Sequence, residues 1–386
     1  MKRDGKVIVV GAGVIGTSIG YYLSREGIDV LILERESVGS GASVCAMGAL
    51  LLMSHELMVG PHLELGIHSR EILCTTYEQI ERDGGIDIMW AARPHLALAF
   101  DDEEEEWLRR RRIEIEHAVA SDWLERDELL RLEPRINPQV QGGCYTDVQS
   151  QLDGYRLTLA YTMAMESFGG SVVSREVTGL ITAGEQVKGV RVDGQEYHAD
   201  AVVLAMGPWS RLASSWLGFE VPILPVKGER LMLKFAGEPL AYHLSSPRLG
   251  VIFYQADGQW TVGARGGRAF DVDDDHTEWD AKPTDDGLEE MVGWATSLMP
   301  CLESAELVKH VAGIRPVSED KLPILGAVPG LANLYLASGH GHSGIGLSAV
   351  TGTIMADLVL SRTPRVPVDL TPFSPTRFSH NPVVTV

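Results

Sequence analysis

The 386 residues are 45% hydrophobic and 22% charged, the make-up of an ordinary soluble globular chain long enough for two or three lobes. A formal net charge of −20 disfavours nucleic acid and anionic membranes as partners. Four scattered cysteines (Cys45, Cys74, Cys144, Cys301) include no C-x-x-C pair, so zinc, iron–sulfur and disulfide readings are poor, no metal site is expected, and a reducing cytoplasm is the default.

The N-terminus lacks an apolar core ahead of a small-residue cleavage site, so no signal peptide is expected. No apolar run reaches membrane-spanning length; the longest, Ala46 to Met53, stops at Ser54-His55-Glu56. The first apolar run is a strand, Lys6-Val7-Ile8-Val9-Val10, which enters Gly11-Ala12-Gly13-Val14-Ile15-Gly16. Leu31-Ile32-Leu33-Glu34 then closes a βαβ unit. This is the G-x-G-x-x-G dinucleotide fingerprint in its expected setting. The first glycine permits the tight turn, the second lets backbone N–H groups approach a pyrophosphate, and the third lets the helix pack close to the strand. Glu34 stands 18 residues beyond Gly16, where a carboxylate can accept from a ribose 2′-OH. A 2′-phosphate, and with it NADP, is disfavoured. The chain is expected to bind a dinucleotide.

Next comes a small-residue stretch, Gly39 to Gly48, suited to close approach of a flat ligand. Pro61 to Arg82 and Glu103 to Arg112 read as helices, and Asp122 to Leu132 as a third, ended by Pro134. Arg156 to Phe168 is helical, stopped by Gly169-Gly170, and Ser171-Val172-Val173 enters a strand. Val177 to Ile181 and Val187 to Val192 read as a hairpin with Ala199 to Ala205 as its third, buried member, ending at Met206-Gly207-Pro208-Trp209-Ser210. From Ile223 to about Ala264 the alternation is that of antiparallel strands: Arg230 to Lys234, Val251 to Tyr254 and Trp260 to Gly263. Leu288 to Met299 is a helix, and Ala312 to Leu360 returns to strand, glycine loop and helix. The acidic runs Asp101 to Glu106 and Asp271 to Asp275 read as solvated faces and loops. The fold class is α/β with an inserted α+β domain. A nucleotide-binding domain (1–85, 150–220 and 311–375) is assembled from three stretches, with a mainly antiparallel substrate domain (86–149 and 221–310) between them and a tail at 376–386.

Five motifs, spread in order over nearly the whole chain, resemble the D-amino-acid-oxidase-like flavoproteins. They are Val9 to Gly16 with Glu34-Arg35; Gly39-Ser40-Gly41-Ala42-Ser43; Ala201 to Ser210; Pro225-Val226-Lys227-Gly228-Glu229; and Gly313-Ile314-Arg315-Pro316, with Asp320, Pro323 and Gly326, followed by Gly339-His340-Gly341-His342-Ser343-Gly344-Ile345-Gly346. The resemblance implies FAD rather than NAD, in a Rossmann-type domain of the glutathione-reductase-like kind. It implies cofactor contacts from Gly11, Gly13, Val14, Ile15 and Gly16, from Glu34 and Arg35, and from Ser40, Gly41, Ala42, Ser43 and Gly48. It also implies contacts from Val177, Ala205, Gly207, Trp209, Gly313 and Arg315, and from Gly341, His342, Ser343, Gly344, Ile345 and Gly346. Loop N–H groups and the positive helix end there would stabilise reduced flavin. The FAD is expected to be non-covalent. Val44-Cys45-Ala46 stands where tethering members carry histidine, and no cysteine follows Gly313 to Ser318.

The resemblance makes Arg315 the residue that takes a substrate carboxylate through two parallel hydrogen bonds. His342 is the second catalytic candidate, in contact with substrate or flavin, or capping the helix; His340 is expected to pack or bond within its loop. Val251, Tyr254 and Met53 are the remaining substrate-binding candidates. Val251 stands where glycine oxidase has a carboxylate-binding tyrosine, and Tyr254, three residues on, falls on the opposite strand face unless a bulge intervenes. Near Thr261 there is no counterpart of the oxygen-activating lysine of sarcosine oxidase. The expected activity is oxidation of the C–N bond of a glycine-, sarcosine-, D-amino-acid- or proline-like compound by hydride transfer to flavin N5, the imine then being hydrolysed. A 2-hydroxy-acid dehydrogenase, with His342 as base, and the flavin subunit of a hetero-oligomeric dehydrogenase remain alternatives; an NAD dehydrogenase is more distant. The partner is a small molecule; a homo-oligomer or a partner subunit stays open.

Overall fold

The computed structural model describes residues 5–53, 57–255, 257–263 and 280–379, apart from the side chain of residue 148. Ser54-His55-Glu56, Ala264 and the acidic run Asp271 to Asp275 lie outside the described residues.

The hydrophobic strand Lys6–Val10 is at the centre of a six-stranded sheet. It pairs in parallel with Asp29–Glu34 on one side and Ala201–Leu204 on the other. Ser171–Ser174 extends one edge, and Leu334–Ser338 with Ile324–Ala327 the other. Its residues are buried with little alternation, as expected of parallel strands covered on both faces. Helices Val14–Arg25, Gly154–Ser167, Pro61–Gly84 and Gly344–Val359 pack together over one face, around Ile19, Leu23, Tyr161 and Ile354. The three strands Val177–Ala183, Gln186–Val192 and Gln195–His198 cover the other.

A second sheet has nine strands among the described residues. Its order is Glu306–Ser318, Ile223–Lys234, Trp260–Gly263, Gly250–Tyr254, His243–Ser246, Ala91–Ala99, Gly142–Gln151 and Ala49–Leu50, with Ser121–Glu125 also on Gly142–Gln151. One face is closed by the Asp285–Leu298 helix and by Leu129, Ile136 and Leu302 over Leu231, Ile252 and Val262. Arg230, Val251 and Ser245 on the opposite face line a cavity.

Three expectations differ from this arrangement. Asp122 to Leu132 is not one helix. Ser121–Glu125 is a strand, with Trp123 opposite Cys144, and the helix Arg126–Leu132 starts only at the Glu125/Glu128 capping box. The hairpin's third member is Gln195–His198, because Asp193 (φ 50°) and Gly194 (φ 75°) close a second tight turn. Ala201–Leu204 belongs to the parallel sheet instead. Finally, Glu306–Ser318 runs in pairing with Ile223–Lys234 from Glu306 to Ser318, so the division expected between residues 310 and 311 falls inside a strand. No described helix is long and apolar enough to cross a membrane.

Candidate active site

A single cavity of about 320 Å³ is lined by residues of both sheets and of the loops between them. One end is built by the first βαβ unit. Gly11 holds φ 105° and donates its N–H to Leu33 O at 2.8 Å, and a Cβ on it would overlap the carbonyl of Ala205. The chain therefore turns at the strand end with backbone, not side chain, facing the cavity. Glu34 accepts from Ala12 N–H at 2.8 Å and from Glu36 N–H at 3.0 Å, so its carboxylate is held at the strand end. Ser43 Oγ accepts from Val14 N–H at 3.0 Å and ties the second glycine motif to the start of the first helix. The Arg35 guanidinium lies 4.2 Å from the Trp209 ring centre, and the absent side chain of Gly41 leaves room for that ring.

Of the expected cofactor residues, Gly13, Val14, Ile15, Arg35, Ser40, Gly41, Ala42, Ser43, Gly48, Val177, Ala205, Gly207 and Trp209 line the cavity together with Gly11 and Glu34. Gly16 does not. A Cβ there would overlap the Gly11 carbonyl, so its part is to let helix and strand approach rather than to touch a ligand.

The other end is formed by Gly313, Arg315 and the loop Gly341, His342, Ser343, Gly344, Ile345 and Gly346, all of which line it. The Gly344–Val359 helix starts here without a side-chain cap, so its first N–H groups and the positive end of its dipole face an apolar-walled space. Gly341 takes φ 52° and donates to Pro316 O at 2.8 Å, which fixes the loop beside the Arg315 strand. The Arg315 guanidinium lies where a side chain on Gly228 would stand. His340 is buried, 3.0 Å from Thr351 Oγ1 through Nε2, and burial pushes its pKa down to about 3; it is a neutral imidazole. Cys45 also borders this end. Its thiol donates to Ala312 O at 2.8 Å, and burial raises its pKa.

Met53 and Val251 line the cavity, and Tyr254 does not. The Gly250–Tyr254 strand keeps unbroken register with Trp260–Gly263, so no bulge intervenes and Tyr254 points away. There it packs edge-on against Trp260 and lies under Arg93, away from the cavity. Met53 is positioned through Leu52, whose N–H donates to Gln149 Oε1 at 3.0 Å and whose carbonyl accepts from Arg111 Nε at 3.1 Å.

Sequence reasoning missed Arg230, Ser245, Arg70, Trp107 and Met47, which also border the cavity. Arg230 donates to Ala46 O at 2.9 Å and so holds the Cys45–Met47 segment over the sheet. The alternation of Arg230 and Met232 with Leu231 and Leu233 was a usable signal for its face. For Ser245, Arg70 and Trp107 no local pattern exists. Among the described residues no group of three His, Cys, Asp or Glu side chains could hold a metal ion.

The glycine turn, the fixed Glu34 carboxylate and the uncapped helix start, all lining one cavity, fit a dinucleotide whose pyrophosphate meets backbone N–H groups. Comparison with known proteins agrees. Residues 6–358 match the family described as FAD dependent oxidoreductase (DAO). The chain is 32% identical over 377 residues to glycine oxidase of Geobacillus kaustophilus, covering 96% of each chain. It is 27% identical to the hydrogen cyanide synthase subunit HcnC of Pseudomonas aeruginosa, covering 99% of this chain and 98% of that one. The crystal structure of the Geobacillus kaustophilus glycine oxidase superposes with a TM-score of 0.87 at 30% identity, over 96% of this chain and 98% of the other.

Proposed function

Since this chain belongs to the DAO family of FAD-dependent oxidoreductases, we propose that it oxidises the C–N bond of a small amino acid or secondary amine that carries a carboxylate. The observation that carries this reading is the Arg315 guanidinium in the cavity wall, accommodated by Gly228 and close to the uncapped helix start. A planar fork takes a carboxylate by two parallel hydrogen bonds and so fixes both position and orientation. The likeness to glycine oxidase supports the same substrate class.

FAD, when bound, supplies the hydride acceptor for this oxidation. Gly11, Gly13 and Ser40 to Ser43 would hold its pyrophosphate, Glu34 its ribose, and the loop Gly341 to Gly346 its redox ring. The attachment is non-covalent, since the Cys45 thiol is engaged with Ala312 O and held above its ordinary pKa. Arg315 binds and orients the substrate. Met53 and Val251 exclude water from the amine, which reacts as the neutral base, and His342 borders the same end as the second polar contact. Water hydrolyses the imine product.

The test is anaerobic flavin absorbance as glycine, sarcosine, proline, D-alanine and 2-hydroxyglutarate are added in turn. Bleaching by an amine supports the reading; bleaching by the hydroxy acid alone overturns it.

A further inference from the structure

The cavity floor contains a row with polar ends, Arg230 and Ser245, that a substrate as small as glycine does not span; Met47 lies against Gly263 between them. Arg230, Gly263, Val251 and Ser245 stand directly opposite one another on four consecutive strands of the larger sheet, and all four border the cavity. Three strand spacings of about 4.8 Å place Ser245 about 14 Å from Arg230. Gly228, against which the Arg315 guanidinium lies, is two residues from Arg230 on the same face. Ser245 and the Arg315 anchor therefore mark opposite ends of the floor.

Ser245 Oγ lies 2.8 Å from Nε2 of His95, which is 0% exposed. Burial, with His243 alongside, pushes the His95 pKa down to about 3, so the imidazole is neutral and has one donor and one acceptor. If Nε2–H donates to Ser245, the serine O–H can donate into the cavity. If serine donates to Nε2, its lone pairs can accept there. Either way His95 takes one hydrogen-bonding direction of the hydroxyl and leaves another for a ligand. Beside Ser245 the same sheet face stays polar. Nδ1 of His95 and both ring nitrogens of His243, its in-register neighbour, are buried with no partner among the described residues. An apolar group set against Ser245 would strip water from the hydroxyl and return no hydrogen bond.

Resting on the amine-carboxylate reading above, we propose that Ser245 takes a hydrogen-bonding group at the far end of an extended substrate, with His95 as the residue that positions its hydroxyl. The substrate class is then an amino acid or N-substituted glycine with a polar tail rather than an apolar one.

The experiment compares racemic 6-hydroxynorleucine with racemic norleucine, which differ by one terminal hydroxyl, in anaerobic flavin reduction by the holoenzyme. Wild type is expected to favour the hydroxylated compound about tenfold in kcat/KM, and Ser245→Ala to bring that ratio close to one. His95→Phe should lower the ratio similarly, and the double variant should go no lower than Ser245→Ala alone. Should His95→Phe fail to fold, the Ser245→Ala ratio decides alone. A ratio near one in wild type, or one that survives Ser245→Ala, overturns the inference. Reduction by glycine but by neither long compound also overturns it, while leaving the amine-oxidising function standing; reduction by no amine at all removes both.

Discussion

Gly228 and Arg315, on neighbouring strands of the larger sheet, form one fitted unit: the guanidinium occupies the volume any side chain at residue 228 would need. The pairing places Val226 opposite Arg315 and Gly228 opposite Gly313, so Arg315 leans diagonally across two residues to reach its place. Gly228→Ala would push the fork aside without touching the dinucleotide end. The expected result is a KM for the amine raised at least about tenfold, with the flavin content of the purified protein retained. Steady-state kinetics beside the flavin-to-protein absorbance ratio checks it.

Glu34 holds the glycine turn through Ala12 N–H at 2.8 Å and is the carboxylate we propose for the cofactor ribose. Removing it in Glu34→Ala deletes a charged hydrogen-bond acceptor, worth about 1.5–3 kcal/mol. The FAD dissociation constant should rise by about ten- to a hundredfold, read from fluorescence of released flavin. Retention of FAD equal to wild type would refute that role.

Four buried histidines make the fold sensitive to acid. Burial, as the leading cause, pushes His62 down to about 4 and His95, His243 and His340 to about 3, against 6.5 for an ordinary histidine. Between those values the unfolded chain binds protons that the folded chain does not. Stability from these groups is therefore full above about pH 6.5 and falls as pH drops toward 4, by up to about 1.4 kcal/mol per pH unit for each. Melting temperature should decline steeply from pH 6.5 to 4.5, and more gently in His340→Gln. A melting temperature flat over that range would contradict the burial argument.

The Cys45 thiol bonds Ala312 O at 2.8 Å and is kept protonated by burial, so it makes a poor nucleophile. Acid precipitation of the holoprotein should leave essentially all flavin in the supernatant. A yellow pellet would show a tether.

The glycine-turn end of the cavity was legible because its signals are local. The strand, the turn of Gly11 and Gly13, and Glu34 at the next strand end follow one another within a single βαβ unit, and steric rules act over a few residues. Arg315 was legible through its motif, although what makes room for it, Gly228, lies on a strand 87 residues earlier. Where the reading went astray, long-range pairing decided. Trp123 became a strand residue because Cys144 lies opposite it. Tyr254 lies on the opposite face from Val251, as its three-residue offset implied, and the absence of a bulge removes it from the cavity. The turn at Asp193-Gly194 was a local signal that went unused. Ser245 and His95 come together across 150 residues through sheet register alone, which no spacing in the chain announces.

The central claim is that Arg315 selects substrates by their carboxylate, and rapid anaerobic mixing tests it most directly. Wild type and Arg315→Ala would each be mixed with the best amine substrate and with its decarboxylated counterpart, following flavin bleaching. The account predicts fast bleaching of wild type by the carboxylate compound, at least about a hundredfold slower bleaching at the same concentration either in Arg315→Ala or with the decarboxylated amine, and no further loss when both changes are combined. Equal bleaching of wild type and Arg315→Ala by the carboxylate compound would contradict it.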